Sequence, residues 1–248
     1  MNMRTKALWR KYRRKIYKVA DWALYISGCF SALLLLWIVL QVTTVAHFVV
    51  PTGSMEPTLI PGDRILVNKW LMGARIFDVW ESAAGKRVEI SRLPGLEEIE
   101  RNDVIVFNFP HRQRWDSIGM DIMAYYVKRC VALPGDTFEI RNGYNRVRGY
   151  EGVLENALVY RKTIEWEQRK KLHIRSDSIC LGDSLILEYT FGKNYYFTAG
   201  DNVLSSQDSR YWGLLPEEYI VGKATRIFRS INKHTGRERW SRFLKKIE

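Results

Sequence analysis

Cysteine and histidine are scarce in this 248-residue chain, which has three of the first and four of the second. Cys29 falls inside an apolar run. Cys130 and Cys180 are far apart in sequence and pair only if the fold brings them together, so the chain is not expected to depend on disulfides. His47, His111, His173 and His234 are scattered, and no Cys/His spacing matches a zinc site. Neither a metal nor a cofactor is expected. A Gly-x-Ser-x-Gly elbow is missing, because Thr52 stands before Gly53-Ser54 where that motif needs glycine. His47 abuts the apolar run and His111 follows a proline, so a Ser-His-Asp triad, which assembles in space, has no support here. Internal repeats, low-complexity linkers and strand–helix alternation are absent as well.

What is present begins with charge. Residues 1–18 hold eight basic side chains (Arg4, Lys6, Arg10, Lys11, Arg13, Arg14, Lys15, Lys18) and no acid. Taking those eight from the net charge of +12 leaves +4 for the rest, ordinary for a soluble domain. The basic excess is therefore a tail feature, and it adjoins the uncharged run Trp22–Ala46. A helix of that length, at about 1.5 Å per residue, crosses a hydrocarbon core of about 30 Å. A removable secretory signal has an apolar core of only about 7–15 residues, so a retained anchor is expected. By the positive-inside rule the N-terminus stays cytoplasmic and everything after about residue 47 lies outside. The expected partner of this charge is the lipid bilayer, and no nucleic acid.

Beyond the anchor the hydrophobic period becomes strand-like. Short β-rich runs are bounded by turn residues: Arg64–Val67, Val104–Phe109, Ala124–Leu133, Ser184–Tyr189, Tyr195–Ala199 and Tyr219–Phe228. They predict a mainly β chain, with an antiparallel, barrel-like β domain after one transmembrane helix. The expected division is a basic tail (1–21), an anchor (22–47), a catalytic β domain (48–136 and 183–230), an inserted cap (137–182) and a basic C-terminal segment (231–248). The cap includes a short helix around Glu165–Leu172, and residues 73–100 form a second insertion of mixed charge. In Arg237–Ile247, Trp240, Phe243, Leu244 and Ile247 fall at i, i+3, i+4 and i+7, opposite Arg239, Arg242, Lys245 and Lys246. This spacing predicts a basic amphipathic helix, lying on an anionic membrane or packed on its own domain.

Three segments carry candidate chemistry. In Phe48-Val-Val-Pro-Thr-Gly-Ser54-Met-Glu-Pro57-Thr-Leu59, Pro51, Gly53 and Pro57 stiffen the backbone around Ser54, and Gly53 allows close approach of another chain. A serine so placed is a turn former or a nucleophile. In Met123-Ala-Tyr-Tyr-Val-Lys128-Arg129-Cys-Val-Ala-Leu133, alternation sends Lys128 and Arg129 to opposite faces of an otherwise apolar strand. Lys128 is then either an edge lysine that blunts aggregation or a desolvated amine. Burial disfavours the charged amine, and a neutral one can take a hydroxyl proton. The third segment, Gly200-Asp201-Asn202 through Asp208-Ser-Arg210-Tyr-Trp-Gly213, reads equally as a structural loop stiffened by an Asp208–Arg210 ion pair.

Together these boxes, in this order, resemble the type I signal peptidases, membrane-bound Ser/Lys enzymes that remove signal peptides. The resemblance spans residues 48–136 and 195–228 and includes Gly62-Asp63-Arg-Ile-Leu-Val67 and Arg101-Asn-Asp-Val-Ile-Val-Phe107. It implies Ser54 as nucleophile and Lys128 as base, and Ser206 as the hydroxyl that orients the lysine. The Ser54 N–H and the Thr52 hydroxyl are then the oxyanion donors, Thr52 standing where serine is usual. Asp208 and Arg210 match a loop-stiffening pair, and Asp201 a structural aspartate. Phe48, Val50, Met55, Leu59, Tyr126 and Val127 match positions lining shallow apolar pockets, which implies cleavage after Ala-x-Ala-like sites in preproteins bound as an added strand. One membrane segment is present where some members have two, residues 73–100 widen the Ser54–Lys128 separation, and the 137–182 cap has no counterpart. Two other readings compete. An inactive tethered binding protein would not need Ser54, Lys128 and Ser206 together, and a self-cleaving repressor needs a helix-turn-helix and no membrane span.

Overall fold

The computed structural model describes residues 3–86, 88–112, 119–141, 144–150, 188–190, 194–202 and 205–248. Two compact units emerge, residues 1–43 and 44–248. The first is one helix, α1 (Met3–Thr43), whose stretch Lys15–Val39 is long and apolar enough to cross a membrane. The helix stops short of the expected anchor boundary at 47. Val45–Val49 forms strand β1 instead, since an apolar run alone does not distinguish a helix end from a strand.

The second unit is built on antiparallel strands. Its main sheet uses β1, β2 (Asp63–Asn68), β5 (Val104–Phe109), β6 (Asp121–Ala132), β10 (Tyr195–Ala199), β11 (Leu215–Pro216) and β12 (Ile220–Ser230). Their order is β1-β2-β12-β5-β6-β10-β11. An eighth strand, β13 (Lys245–Lys246), pairs with Arg226 and Ile227 of β12, beyond the stretch that β5 occupies. Every residue of β5 is buried. Val104 and Val106 face one apolar cluster with Val50, Met55, Leu59, Ile65 and Ile227. Ile105, Phe107 and Phe109 face another with Trp212, Leu215 and Ile220. Apolar cover on both faces is what its uninterrupted hydrophobic run requires.

The sheet is not closed into a barrel, which corrects the barrel-like expectation. Its edge strand β1 curls toward β6, and the rings of Phe48 and Tyr125 lie 5.0 Å apart. Among the described residues, however, β1 pairs only with β2, and Asp121–Val127 of β6 pair only with β5. Phe48 and Tyr125 meet across the seam, and among the described residues no ladder of main-chain bonds joins the two strands.

Residues 73–100 hold a small ribbon of β3 (Arg75–Ile76) and β4 (Ser91–Arg92), with a short helix α2 (Val79–Ala83) between them. Asp78 caps α2 by accepting from Trp80 N and Glu81 N. Arg92 fastens the ribbon to the main sheet, donating to the carbonyls of Met72, Gly73, Glu217 and Ile220. In the region expected as a cap, β7 (Thr137–Arg141) pairs with β8 (Tyr144–Val147) and with β9 (Glu188–Thr190). Phe138 stacks on Phe197 of β10 at 5.0 Å, so this small sheet packs on the main one. The helix expected at Glu165–Leu172 and Cys180 lie outside the described residues. Cys130 is a free, buried cysteine.

No helix forms over Arg237–Ile247. A single 3₁₀ turn covers Trp240–Arg242, Leu244 has φ of 53°, and β13 follows. A segment this short does not hold a helix by its own propensity, and here the ladder to β12 and the burial of Arg242 against Asp63 win instead. Trp240 and Phe243 remain exposed.

Candidate active site

Ser54 sits in the loop 50–62, which joins the neighbouring antiparallel strands β1 and β2. Lys128 is four strands away on β6 in the sheet order. Only the curl of the sheet brings them together. Lys128 Nζ lies 2.6 Å from Ser54 Oγ, and the two residues are 3% and 9% exposed. Alternation along β6 puts Lys128 on the face of Tyr126 and Cys130, and its amine is 5.8 Å from the Tyr126 ring centre. The edge-lysine reading does not fit this burial.

The loop around Ser54 is held by the segment after β10. Asn202 N–H donates to the Ser54 carbonyl and Asn202 Nδ2 to the Gly53 carbonyl, both at 3.0 Å. Because the Gly53–Ser54 peptide is planar, engaging its carbonyl aims the Ser54 N–H the opposite way. Among the described residues nothing accepts from that N–H. Gly200 packs so closely that a Cβ there would stand 2.2 Å from Ser206 Oγ and 2.5 Å from the Ser54 carbonyl. A side chain at 200 would therefore push apart the loops that carry both serines. At Gly53 the nearest atoms that a Cβ would meet belong to the Glu56 carboxylate, the closest at 2.8 Å.

Ser206 is buried and donates to Asp208 Oδ2 at 2.7 Å, and the same oxygen accepts from Gly200 N–H at 2.8 Å. Asp208 thus ties the two ends of its loop together. The side chain of Arg210 lies outside the described residues, so the expected Asp208–Arg210 pair does too. Asp201 accepts from Arg129 Nε at 2.9 Å and from Arg129 Nη2 at 2.8 Å, a bidentate pair with both side chains almost wholly buried. Thr58 donates to the same carboxylate.

The sequence matches the signal peptidase family, peptidase S26, over residues 22–229. The chain belongs to that family. It is 31% identical to a signal peptidase I of Pseudomonas fluorescens over 225 residues, covering 81% of this chain and 70% of that one. It is 30% identical to one from Aquifex aeolicus, covering 74% and 75%, and 31% identical to one from Pseudomonas aeruginosa, covering 81% and 70%.

Within this family member, exposure divides the residues expected to line the substrate pockets. Phe48, Tyr126 and Val127 keep accessible surface. Val50, Met55 and Leu59 are buried in one apolar cluster with Ile65, Val104 and Val106. Thr52 is exposed, two residues before Ser54. His111 is engaged elsewhere, its Nε2 2.7 Å from the Trp212 carbonyl oxygen. Sequence reasoning missed Arg129, Thr58 and Asn202 as parts of the site. Arg129 had a readable signal: an arginine in an apolar strand requires a buried acceptor, and the Asp201 segment offered one.

Proposed function

We propose that this chain removes signal peptides from exported preproteins, using Ser54 as nucleophile and Lys128 as general base, and cutting after small residues of Ala-x-Ala type. The observation that carries this reading is the buried 2.6 Å contact between Lys128 Nζ and Ser54 Oγ. With the amine neutral, the hydroxyl donates to it and loses its proton as Oγ bonds to the scissile carbonyl carbon. The oxyanion is met by the Ser54 N–H and the Thr52 hydroxyl. Donors of this kind are worth about 3–4 kcal/mol each. When the C–N bond breaks, the Lys128 ammonium returns the proton to the leaving amine, and water then hydrolyses the acyl-enzyme. Ser206 orients the amine, and Asp208 and Asp201 brace the loops around it.

The substrate binds as an added strand along the seam between β1 and β6, where main-chain groups of both strands are available for a ladder. Phe48, Tyr126 and Val127 line this seam and leave room for small side chains. The apolar stretch of α1 anchors the chain in the membrane, with the catalytic unit on the outer face.

The test is cleavage of a preprotein bearing an Ala-x-Ala site, in detergent or lipid. Wild type cuts at that site, and Ser54→Ala and Lys128→Ala each abolish cutting while remaining folded. Activity that survives Lys128→Ala would place the base elsewhere. A folded wild type that cuts none of several such substrates would favour a tethered binding protein.

A further inference from the structure

Resting on Ser54 as the nucleophile, we propose that Arg242 is a positioning residue for the reaction, the fastening point of a C-terminal clasp that fixes the turn carrying Ser54. Its guanidinium reaches Asp63 with both Nε (3.1 Å) and Nη2 (2.6 Å), and Nη2 also donates to the Thr58 carbonyl at 2.7 Å. Asp63 in turn accepts from Ile60 N–H at 2.9 Å. One side chain from the far end of the sequence thus holds the loop after Ser54 directly at Thr58 and, through Asp63 at the start of β2, at Ile60.

Thr58 is gripped from the other side as well. Its hydroxyl donates to Asp201 and accepts from Arg129 Nη2 at 3.2 Å. Two arginines from separate elements converge on one threonine, its carbonyl held by Arg242 and its hydroxyl by Arg129. Glu56 N–H bonds back to the Gly53 carbonyl at 3.1 Å and Leu59 N–H to the Met55 carbonyl at 2.8 Å, so Ser54 and Thr58 lie in two overlapping turns. A shift of Thr58 is carried to Ser54 Oγ, whose short contact with Lys128 tolerates little displacement.

The chain then runs through β13, with Ile247 N–H bonded to the Thr225 carbonyl and its side chain against the apolar cluster of Met55 and Leu59. The main-chain oxygen of Glu248 accepts from Arg129 Nη2 at 2.9 Å. The clasp therefore touches both halves of the site: the nucleophile turn through Arg242, and the residue beside the lysine base through Glu248. Glu238, on the same segment, pairs with Arg229 and makes none of these contacts, which makes it the comparison site.

Full-length protein in detergent, cleaving a preprotein with an Ala-x-Ala site well below the melting transition, tests the role. Arg242→Ala lowers kcat by roughly tenfold to a hundredfold with KM within about twofold of wild type, because positioning acts on the chemical step. Added methylguanidine recovers part of that loss, and Glu238→Gln keeps wild-type kcat. Should Arg242→Ala not fold, Arg242→Lys carries the test, since lysine keeps the charge but not the two-sided grip. A kcat loss of about threefold or more at unchanged KM then supports the role, and wild-type kcat overturns it. Wild-type kcat in Arg242→Ala, or an equal loss in Glu238→Gln, also overturns it. Ser54→Ala run in parallel separates the two failures. Should it cleave like wild type, the nucleophile assignment falls. Should it be inert while Arg242→Ala is fully active, only the positioning role falls.

Discussion

Burial and a neighbouring ring act on Lys128 in opposite directions. Burial to 3% exposure disfavours the ammonium, while the Tyr126 ring, 5.8 Å away, favours it. Desolvation of a buried lysine is worth up to about 3–5 pKa units, whereas a desolvated cation–π contact is worth about 2 kcal/mol, roughly 1.5 units. A lysine that serves as base toward Ser54 is therefore expected to work below the ordinary lysine value of about 10.4. Burial, with Asp121 nearby, pushes the Tyr126 phenol above its ordinary value. On the proposed mechanism the base must be neutral, so single-turnover cleavage is expected to rise with pH through the lysine's titration and to be lost on the acid side. A pH–rate profile measured with one preprotein checks this, and a profile flat from acid to strongly alkaline pH would rule out a titrating lysine base. At this scale the candidate residues were legible, because Ser54 and Lys128 each stand in a short box whose oddity is local. Their separation of 2.6 Å was not legible, since it depends on four intervening strand pairings.

Between the residue and the molecule stand the elements that hold the two halves of the site in place. Arg129 and Asp201 lock β6 to the segment after β10 through a bidentate pair with both side chains at most 3% exposed. Removing one partner strands the other charge away from water. Asp201→Ala is therefore expected to cost about 3–5 kcal/mol, a fall of roughly 10 °C in the melting temperature of a domain this size. Replacing Arg129 and Asp201 together by apolar residues costs less than Asp201→Ala alone, because no unpaired charge remains. Thermal unfolding of the two variants checks both statements, and an unchanged Tm in Asp201→Ala would show that the pair holds nothing together. Elements were legible where local pattern and tertiary environment agree. Val104–Phe109 and Tyr195–Ala199 fold as the strands that their apolar runs and flanking turns predict. Arg237–Ile247 carries an equally clear helical period, yet its backbone is claimed by β12 and its Arg242 by Asp63, partners that lie far away in sequence.

At the scale of the whole molecule, the open seam explains why a nearly barrel-like β unit does not close. A ladder between β1 and β6 would cover the free edge of β1 and the free stretch of β6, and with them the place where the proposed function has an extended substrate add. Turn spacing predicts many antiparallel strands but not whether the last pairing forms, so the openness was not legible in sequence. Orientation in the membrane, by contrast, rests on sequence alone. Eight basic residues lie in 1–18, and none lies in 44–63, immediately beyond the span. Since the side richer in Lys and Arg stays cytoplasmic, the β unit is expected outside. In intact cells stripped of their outer layers, added protease should digest residues 44–248 and spare an N-terminal tag. Replacing the eight basic residues by Gln removes the bias, and the chain should then insert in both orientations, with part of the β unit protected and processing of exported preproteins reduced in proportion. Full protection of the β unit in the unaltered protein would reverse the orientation. It would also move the active site to the side where signal peptides have not yet crossed, which is incompatible with cutting exported preproteins.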